Sequence, residues 1–131
     1  MKDISYIDKI VKQHRTNLHK LAELSHEEFN TAKYIRDYLD KLGIQYETPL
    51  ETATVGIIKG NNPKKTIAFR ADIDALPTEN GARHLCGHDG HMAALLGLAY
   101  KLKDVKDLPN NVLLIFQPGE EIVDGAPSII R

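Results

Sequence analysis

Two apolar runs in the second half of the chain constrain its fold more than any other feature of the sequence. Residues 92–100 are rich in alanine and leucine, which predicts a buried helix. Residues 112–116 form a short continuous apolar run, which is typical of a strand buried inside a sheet. A buried helix followed by a buried strand indicates an α/β fold, with helices packed on a mixed, twisted β-sheet.

The first part of the chain has helical periodicity. Apolar residues recur at helical spacing from residue 4 to residue 24, which predicts an amphipathic helix. Ser25 and Glu28 have the spacing of a capping box, so we expect a second helix to follow them. Its apolar positions continue to Leu42, and Gly43 is predicted to end it as a C-terminal cap.

After Gly43 the apolar pattern changes to the period of two that is typical of strands. Residues 44–47 and 54–60 predict two short strands, and a turn at residues 60–63 leads to a third over residues 65–74. We expect this turn to form a hairpin that feeds an interior strand. Residues 75–81 are then predicted to be a loop.

Charged residues alternate along the third predicted strand. Arg70, Asp72 and Asp74 therefore share one face of it. One interpretation is a solvated face, because exposed faces of antiparallel sheets are routinely polar. The other is a functional site, since Asp72 and Asp74 lie at the C-terminal end of the strand, where open α/β sheets place their sites.

Residues 84–91 contain three of the six histidines and the only cysteine. Cys86 and His88 are two residues apart, so a turn or an extended backbone can direct both side chains toward one ion. Thiolate and imidazole suit zinc, manganese, cobalt or nickel. The alternative for Cys86 is a small buried apolar residue, as free cysteines commonly are. Asp89 is well placed to cap the helix that follows.

Two adjacent carboxylates follow the buried strand predicted at residues 112–116. Glu120 and Glu121 emerge near its C-terminal end, and adjacent side chains diverge. One of them can therefore bind a metal ion while the other faces the reacting centre. The alternative is a pair of solvated glutamates on a loop, since glutamate is rarely buried unpaired.

Composition narrows the classes of function. The 131 residues are enough for one domain with a modest core. The net charge of -1 provides no basic face for a nucleic acid. No apolar run approaches the ~20 residues that span a bilayer, and the N-terminus lacks the apolar segment of a signal peptide. A single cysteine excludes an internal disulfide, so we expect a cytoplasmic protein. From the charge and the apolar runs we expect no nucleic-acid or membrane partner. His14, His19 and His26 are expected to be surface or capping groups.

Three motifs occur in order along the chain, at residues 70–77, 84–91 and 116–121. Together they resemble the dinuclear metallo-amidohydrolases of the aminoacylase and carboxypeptidase group, in the branch of hippurate hydrolases and indole-acetyl-amino-acid hydrolases. Leu18 and His19, followed by Glu23, Leu24, Ser25 and Glu28, resemble the first motif of the same branch.

The resemblance implies a zinc-peptidase-like catalytic domain with two divalent metal ions. Cys86, His88 and Glu121 would bind the ions, and the thiolate would bridge them. Glu120 would be the general base that takes a proton from the attacking water, and Asp74 would orient a ligand. The implied reaction is hydrolysis of the amide bond of an N-acyl amino acid, a small-molecule substrate.

Members of this group run well beyond 131 residues. Further metal-binding histidines and a second domain that pairs subunits follow the matching part, so a homo-oligomer is one expected assembly. We therefore expect residues 1–131 to be the N-terminal part of the catalytic domain, with its remainder and the dimerisation domain absent. The loop between Pro77 and His84 is shorter than is usual in the group. The competing hypothesis is a non-catalytic fragment that acts as a metal-binding or interaction module.

Overall fold

The computed structural model describes residues 4–24, 27–61, 63–78, 81–83, 87–105 and 107–118. Three helices and six strands occur in these ranges: α1 (Ile4–Lys20), α2 (Phe29–Leu42), β1 (Gln45–Glu47), β2 (Thr54–Ile58), β3 (Thr66–Asp72), β4 (Leu76–Thr78), β5 (Gly81–Arg83), α3 (His88–Leu102) and β6 (Asn111–Gln117). The predicted α/β class is confirmed. Among the described residues, no helix is both long enough and apolar enough to cross a membrane.

Four strands form one mixed sheet in the order β1-β2-β6-β3. β6 is antiparallel to β2 and parallel to β3, and it lies between them. The predicted hairpin is therefore wrong, because β2 and β3 are not neighbours. The predicted interior position is also wrong, since β3 is the last strand of the described sheet and its residues Ile67 and Phe69 are exposed.

The loop between β2 and β3 explains this difference, because it is bound to the segment that leads into β6. The amide of Gly60 donates to the side-chain oxygen of Asn111 (2.9 Å), and the amide of Asn61 donates to the carbonyl oxygen of Leu108 (2.8 Å). Parallel strands need a long crossover connection, and α3 lies in the one between β3 and β6. A turn signal such as that at residues 60–63 thus indicates a chain reversal without indicating which strands pair.

The hydrophobic core combines side chains from all three helices with those of β6. Its largest fully buried apolar side chains are Phe116, Leu18, Ile35, Leu39, Ile73, Met92, Leu96 and Leu114. Burial of one such side chain stabilises the fold by roughly 1.5–3 kcal/mol. The predicted burial of the helix over residues 92–100 and of the strand over residues 112–116 is confirmed.

α1 and α3 approach each other closely at Gly97. A Cβ atom on this residue would lie 2.5 Å from Cγ2 of Val11, a distance that real Cβ atoms essentially never show. The separation of the two helices therefore depends on the missing side chain at Gly97.

α2 ends as predicted but begins differently. Gly43 has a left-handed backbone (φ 74°), and the amide of Ile44 donates to the carbonyl oxygen of Leu39 (2.9 Å), as in a Schellman motif. At the start of the helix the N-cap residue is Glu28, whose side chain makes no capping hydrogen bond. The predicted capping box is therefore wrong, and its other member, Ser25, lies outside the described residues.

Glu23 supplies a carboxylate to the start of α2 instead. Oε1 accepts hydrogen bonds from the amide (2.6 Å) and the hydroxyl (2.7 Å) of Thr31, and Oε2 accepts one from the amide of Asn30 (3.1 Å). A negative charge is also favourable at a helix N-terminus because of the helix dipole. α1 ends at Lys20 rather than at residue 24, so that the chain is free to bring Glu23 to this position.

The segment predicted to be a loop at residues 75–81 contains short strand structure. β4 pairs with β5 in a separate antiparallel two-stranded sheet. The loop prediction is therefore wrong for these residues, because strands of three residues are too short to show a recognisable alternation.

Candidate functional site

The parallel pairing of β3 and β6 brings their C-terminal ends to one edge of the sheet. Asp72, at the end of β3, lies opposite Gln117, at the end of β6. The guanidinium of Arg70 links them, since it donates to Oδ1 of Asp72 (2.8 Å) and to Oε1 of Gln117 (2.7 Å). Asp72 is only 8% exposed, so a solvated strand face does not account for it.

Asp74 lies just beyond the end of β3 and is fully buried. Backbone hydrogen bonds fix the chain on both sides of it. The amide of Ile73 donates to the carbonyl oxygen of Gln117 (3.0 Å), and that of Ala75 donates to the carbonyl oxygen of Glu23 (2.7 Å). Buried carboxylates are costly unless they are hydrogen-bonded or paired with a cation. The burial of Asp74 and its fixed backbone therefore favour the interpretation of this sheet edge as a functional site.

α3 begins at His88, one of the predicted metal ligands. The N-cap residue is Gly87, which has a left-handed backbone (φ 88°), and Asp89 lies within the first turn. The prediction that Asp89 caps the helix is therefore wrong. Its buried carboxylate faces α1 instead, where Oδ2 lies 3.0 Å from Nδ1 of His19 and 3.6 Å from Nε of Arg15.

The positions of four predicted site groups lie outside what the structure describes. Cys86, Glu120, Glu121 and the side chain of His88 lie outside the part of the chain that the structure describes. Within the described part, no three His, Cys, Asp or Glu side chains form a group that could hold a metal ion. The fit of a metal therefore depends on the donor chemistry of thiolate, imidazole and carboxylate, which suits a divalent transition metal. These assignments stay predictions.

The expectation for the early histidines is wrong for His14, while His26 lies outside the described residues. His14 is 6% exposed, its Nδ1 lies 2.7 Å from the hydroxyl of Tyr34, and its ring packs edge-on against Tyr38. Burial, and to a lesser extent the positive charge of Lys41, lower the pKa of His14 to about 4. A neutral His14 therefore connects α1 to α2.

The contact between His19 and Asp89 was missed by reasoning from the sequence. The two residues are 70 positions apart, and no periodicity or spacing connects them. The available signal was the motif that contains His19 and Glu23, to which residue chemistry alone assigned no role.

Comparison with known proteins shows a similarity between part of the chain and one peptidase family. Residues 68–131 match peptidase family M20/M25/M40. An uncharacterized hydrolase from Staphylococcus haemolyticus (strain JCSC1435) is 46% identical over 138 residues, which cover 94% of this chain and 36% of that protein.

Two solved structures show the same fold. The Bacillus subtilis YXEP protein, described as a dinuclear metal binding peptidase from the M20 family, has a TM-score of 0.90 and 36% identity, over 98% of this chain and 40% of its own. An aminobenzoyl-glutamate utilization protein from Klebsiella pneumoniae has a TM-score of 0.77 and 29% identity, over 96% of this chain and 41% of its own. The chain thus has the M20 peptidase architecture but spans only about a third of the length of the curated relatives it matches.

Proposed function

We propose that this chain forms part of the catalytic domain of a metal-dependent amidohydrolase that cleaves the amide bond of N-acyl amino acids. The observation that carries the proposal is the common edge formed by the C-terminal ends of β3 and β6, where Asp72 and Asp74 are buried. Glu120 and Glu121 follow β6 in the sequence within a few residues of this edge.

Two divalent ions are proposed as cofactors, with Cys86, His88 and Glu121 as their ligands in this chain. The M20 family match and the dinuclear metal binding named for the Bacillus subtilis protein support this part of the proposal. When bound, such ions lower the pKa of water and polarise a carbonyl group. Zinc, manganese, cobalt and nickel all suit these donors.

The remaining roles belong to the protein itself. Glu120 is proposed to take a proton from the attacking water and to pass it to the leaving nitrogen. Asp74 is proposed to orient a ligand, a role that suits a buried carboxylate whose backbone is held on both sides. Arg70 is proposed to stabilise this edge of the sheet. Its guanidinium donates to Gln117 on β6 and offsets the negative charge of Asp72 on β3.

The substrate class rests on resemblance and on one relative. Aminobenzoyl-glutamate, the compound in the name of the Klebsiella pneumoniae protein, is an amino acid acylated on its nitrogen. The three sequence motifs resemble those of hydrolases that act on hippurate and on indole-acetyl-amino acids, which have the same kind of amide bond.

The second candidate function is a non-catalytic metal-binding or interaction module. It is favoured by the small number of predicted ligands, which are Cys86, His88 and Glu121. Three ligands are few for two ions, so groups beyond these residues would have to complete a catalytic site.

Hydrolysis of hippurate separates the two candidates. It would be measured with added zinc, manganese, cobalt or nickel on this chain and on the same chain completed with the C-terminal two thirds of that relative. We expect metal-dependent release of glycine by the completed protein and no appreciable release by the 131-residue chain. Metal binding without hydrolysis in both proteins would favour a metal-binding module. Absence of metal binding in both would contradict the amidohydrolase and leave only an interaction module.

A further inference from the structure

The motif that contains His19 and Glu23 takes no part in the chemistry proposed above, yet both residues contact segments that carry site residues. His19 contacts Asp89, which is adjacent to the predicted ligand His88. The amide of Ala75, adjacent to the buried Asp74, donates a hydrogen bond to the carbonyl oxygen of Glu23. Both contacts come from the C-terminal end of α1 and the connection that follows it.

We propose that His19 is a positioning residue for the metal site. Through the carboxylate of Asp89 it fixes the first turn of α3, and with it the place from which His88 extends. This inference rests on the proposed function in one respect, since it takes His88 to be a metal ligand.

The contact has the geometry that such a role requires. Asp89 is 4% exposed, so its carboxylate needs partners, and an ionised carboxylate only accepts hydrogen bonds. Nδ1 of His19 is therefore the donor at 3.0 Å. Arg15 lies 3.6 Å from the same oxygen, beyond hydrogen-bond distance, so it adds charge but less direction.

The packing of α1 fixes the position of the His19 side chain that donates to Asp89. Leu18, the neighbour of His19, is fully buried in the core. At Gly97 the two helices meet without an intervening side chain on α3. α3 is thus held against α1 at two points that are eight residues apart, about 12 Å along a helix. The first of these points is the turn that begins with His88.

Amide hydrogen exchange tests the contact without any metal. His19→Ala removes the donor, whereas His19→Asn retains an N–H group close to the position of Nδ1. Lys12→Ala is the matched control, because it removes an exposed ion pair with Asp8 on the same helix. We expect exchange of the His91 amide, which donates to the carbonyl oxygen of Gly87 (3.1 Å), to be roughly 5- to 10-fold faster in His19→Ala, as for loss of one hydrogen bond. Wild-type rates are expected in the other two variants, and in α2 of all three. Unchanged exchange in His19→Ala would overturn the proposal.

Binding of Co²⁺ to the same proteins tests the consequence for the site. Removing a group that orients a metal ligand typically weakens binding about 10- to 100-fold. We expect this loss in His19→Ala, with a changed cobalt absorption spectrum, and recovery in His19→Asn. Equal affinity in His19→Ala and the wild type would overturn the positioning role. If the wild-type chain binds no Co²⁺, the same comparison is made in the completed protein, where absence of binding would contradict the proposed function instead. The exchange rates would still decide whether His19 fixes the first turn of α3.

Discussion

His14 and His19 lie on the same helix and belong to different regions of the molecule. His14 is buried between α1 and α2 against the rings of Tyr34 and Tyr38. The side chain of His19 is 58% exposed and meets a buried carboxylate at the start of α3. The two histidines thus have the same residue type and the same helix but different partners. The partner determines whether the histidine contributes to core packing or to a functional site.

The two regions also differ in what surrounds these histidines. The region around His14 is aromatic, and burial together with neighbouring tyrosines raises the pKa of Tyr38 to about 12. The region that leads to the sheet edge contains the buried carboxylates Asp72, Asp74 and Asp89. Substitutions near His14 should therefore change stability, whereas those near the sheet edge should change binding and chemistry.

The largest effect is expected at the predicted base. In the completed protein, Glu120→Gln should lower turnover by at least the ~10²–10⁴-fold that general-base catalysis contributes. Its metal content and unfolding midpoint should stay at the wild-type values, because no ligand is lost. Glu121→Gln is the matched variant and should lose metal. The opposite pattern, measured by elemental analysis and steady-state kinetics, would exchange the two roles.

A second prediction concerns the contact that holds α1 to α3. Gly97→Ala should destabilise the chain by about 1–3 kcal/mol, as overpacking does, because its Cβ would meet Val11. Gly90→Ala is the control on the same helix, since its Cβ would lie 3.8 Å from Nε of Arg15, an ordinary contact. It should be neutral or stabilising, because alanine favours helices. Equal urea midpoints for the two variants would contradict the close packing.

The region around His14 should make stability depend on pH. The folded pKa of about 4 lies below the ordinary value of 6.5, so only the unfolded chain gains this proton between these pH values. Stability is therefore full above pH 6.5 and falls as the pH drops toward 4, by at most ~1.4 kcal/mol per pH unit from this group.

His14→Gln isolates this contribution from that of the carboxylates. Urea unfolding at pH 7, 6 and 5 should show a shallower decline for the variant than for the wild type. Parallel declines would mean that His14 is protonated in the folded protein.

The smallest effect on global stability is expected at His19. His19→Ala should change the free energy of unfolding by about 1 kcal/mol or less, since the side chain of His19 is largely exposed and Arg15 still faces the carboxylate of Asp89. A loss as large as that of Gly97→Ala would place His19 with His14 among the packing residues and would end the distinction between the two regions.

Much of the fold could be predicted because local signals determined it. The apolar period and Gly43 located α2, and the apolar run over residues 112–116 located β6. Pairing could not be predicted, because the strand inserted between β2 and β3 comes from far along the chain. The residue that caps the start of α2 could not be predicted for a related reason, since the capping carboxylate of Glu23 precedes the helix by several residues.

The candidate site was predictable only in its residue types. Alternation placed Arg70 and Asp72 on one face of β3, and the structure joins them directly. The burial of Asp74 and the contact of His19 with Asp89 depend on tertiary packing, which a single sequence does not reveal. The ligand roles of Cys86, His88 and Glu121 stay predictions.

The cobalt absorption spectrum tests the central claim most directly. The chain has a single cysteine, so a thiolate-to-cobalt charge-transfer band can come only from Cys86. We predict that the band is present in the wild type and in His14→Gln, and that it is lost in Cys86→Ser. A wild-type protein without the band, or a Cys86→Ser variant that keeps it, would contradict a metal site built on this cysteine.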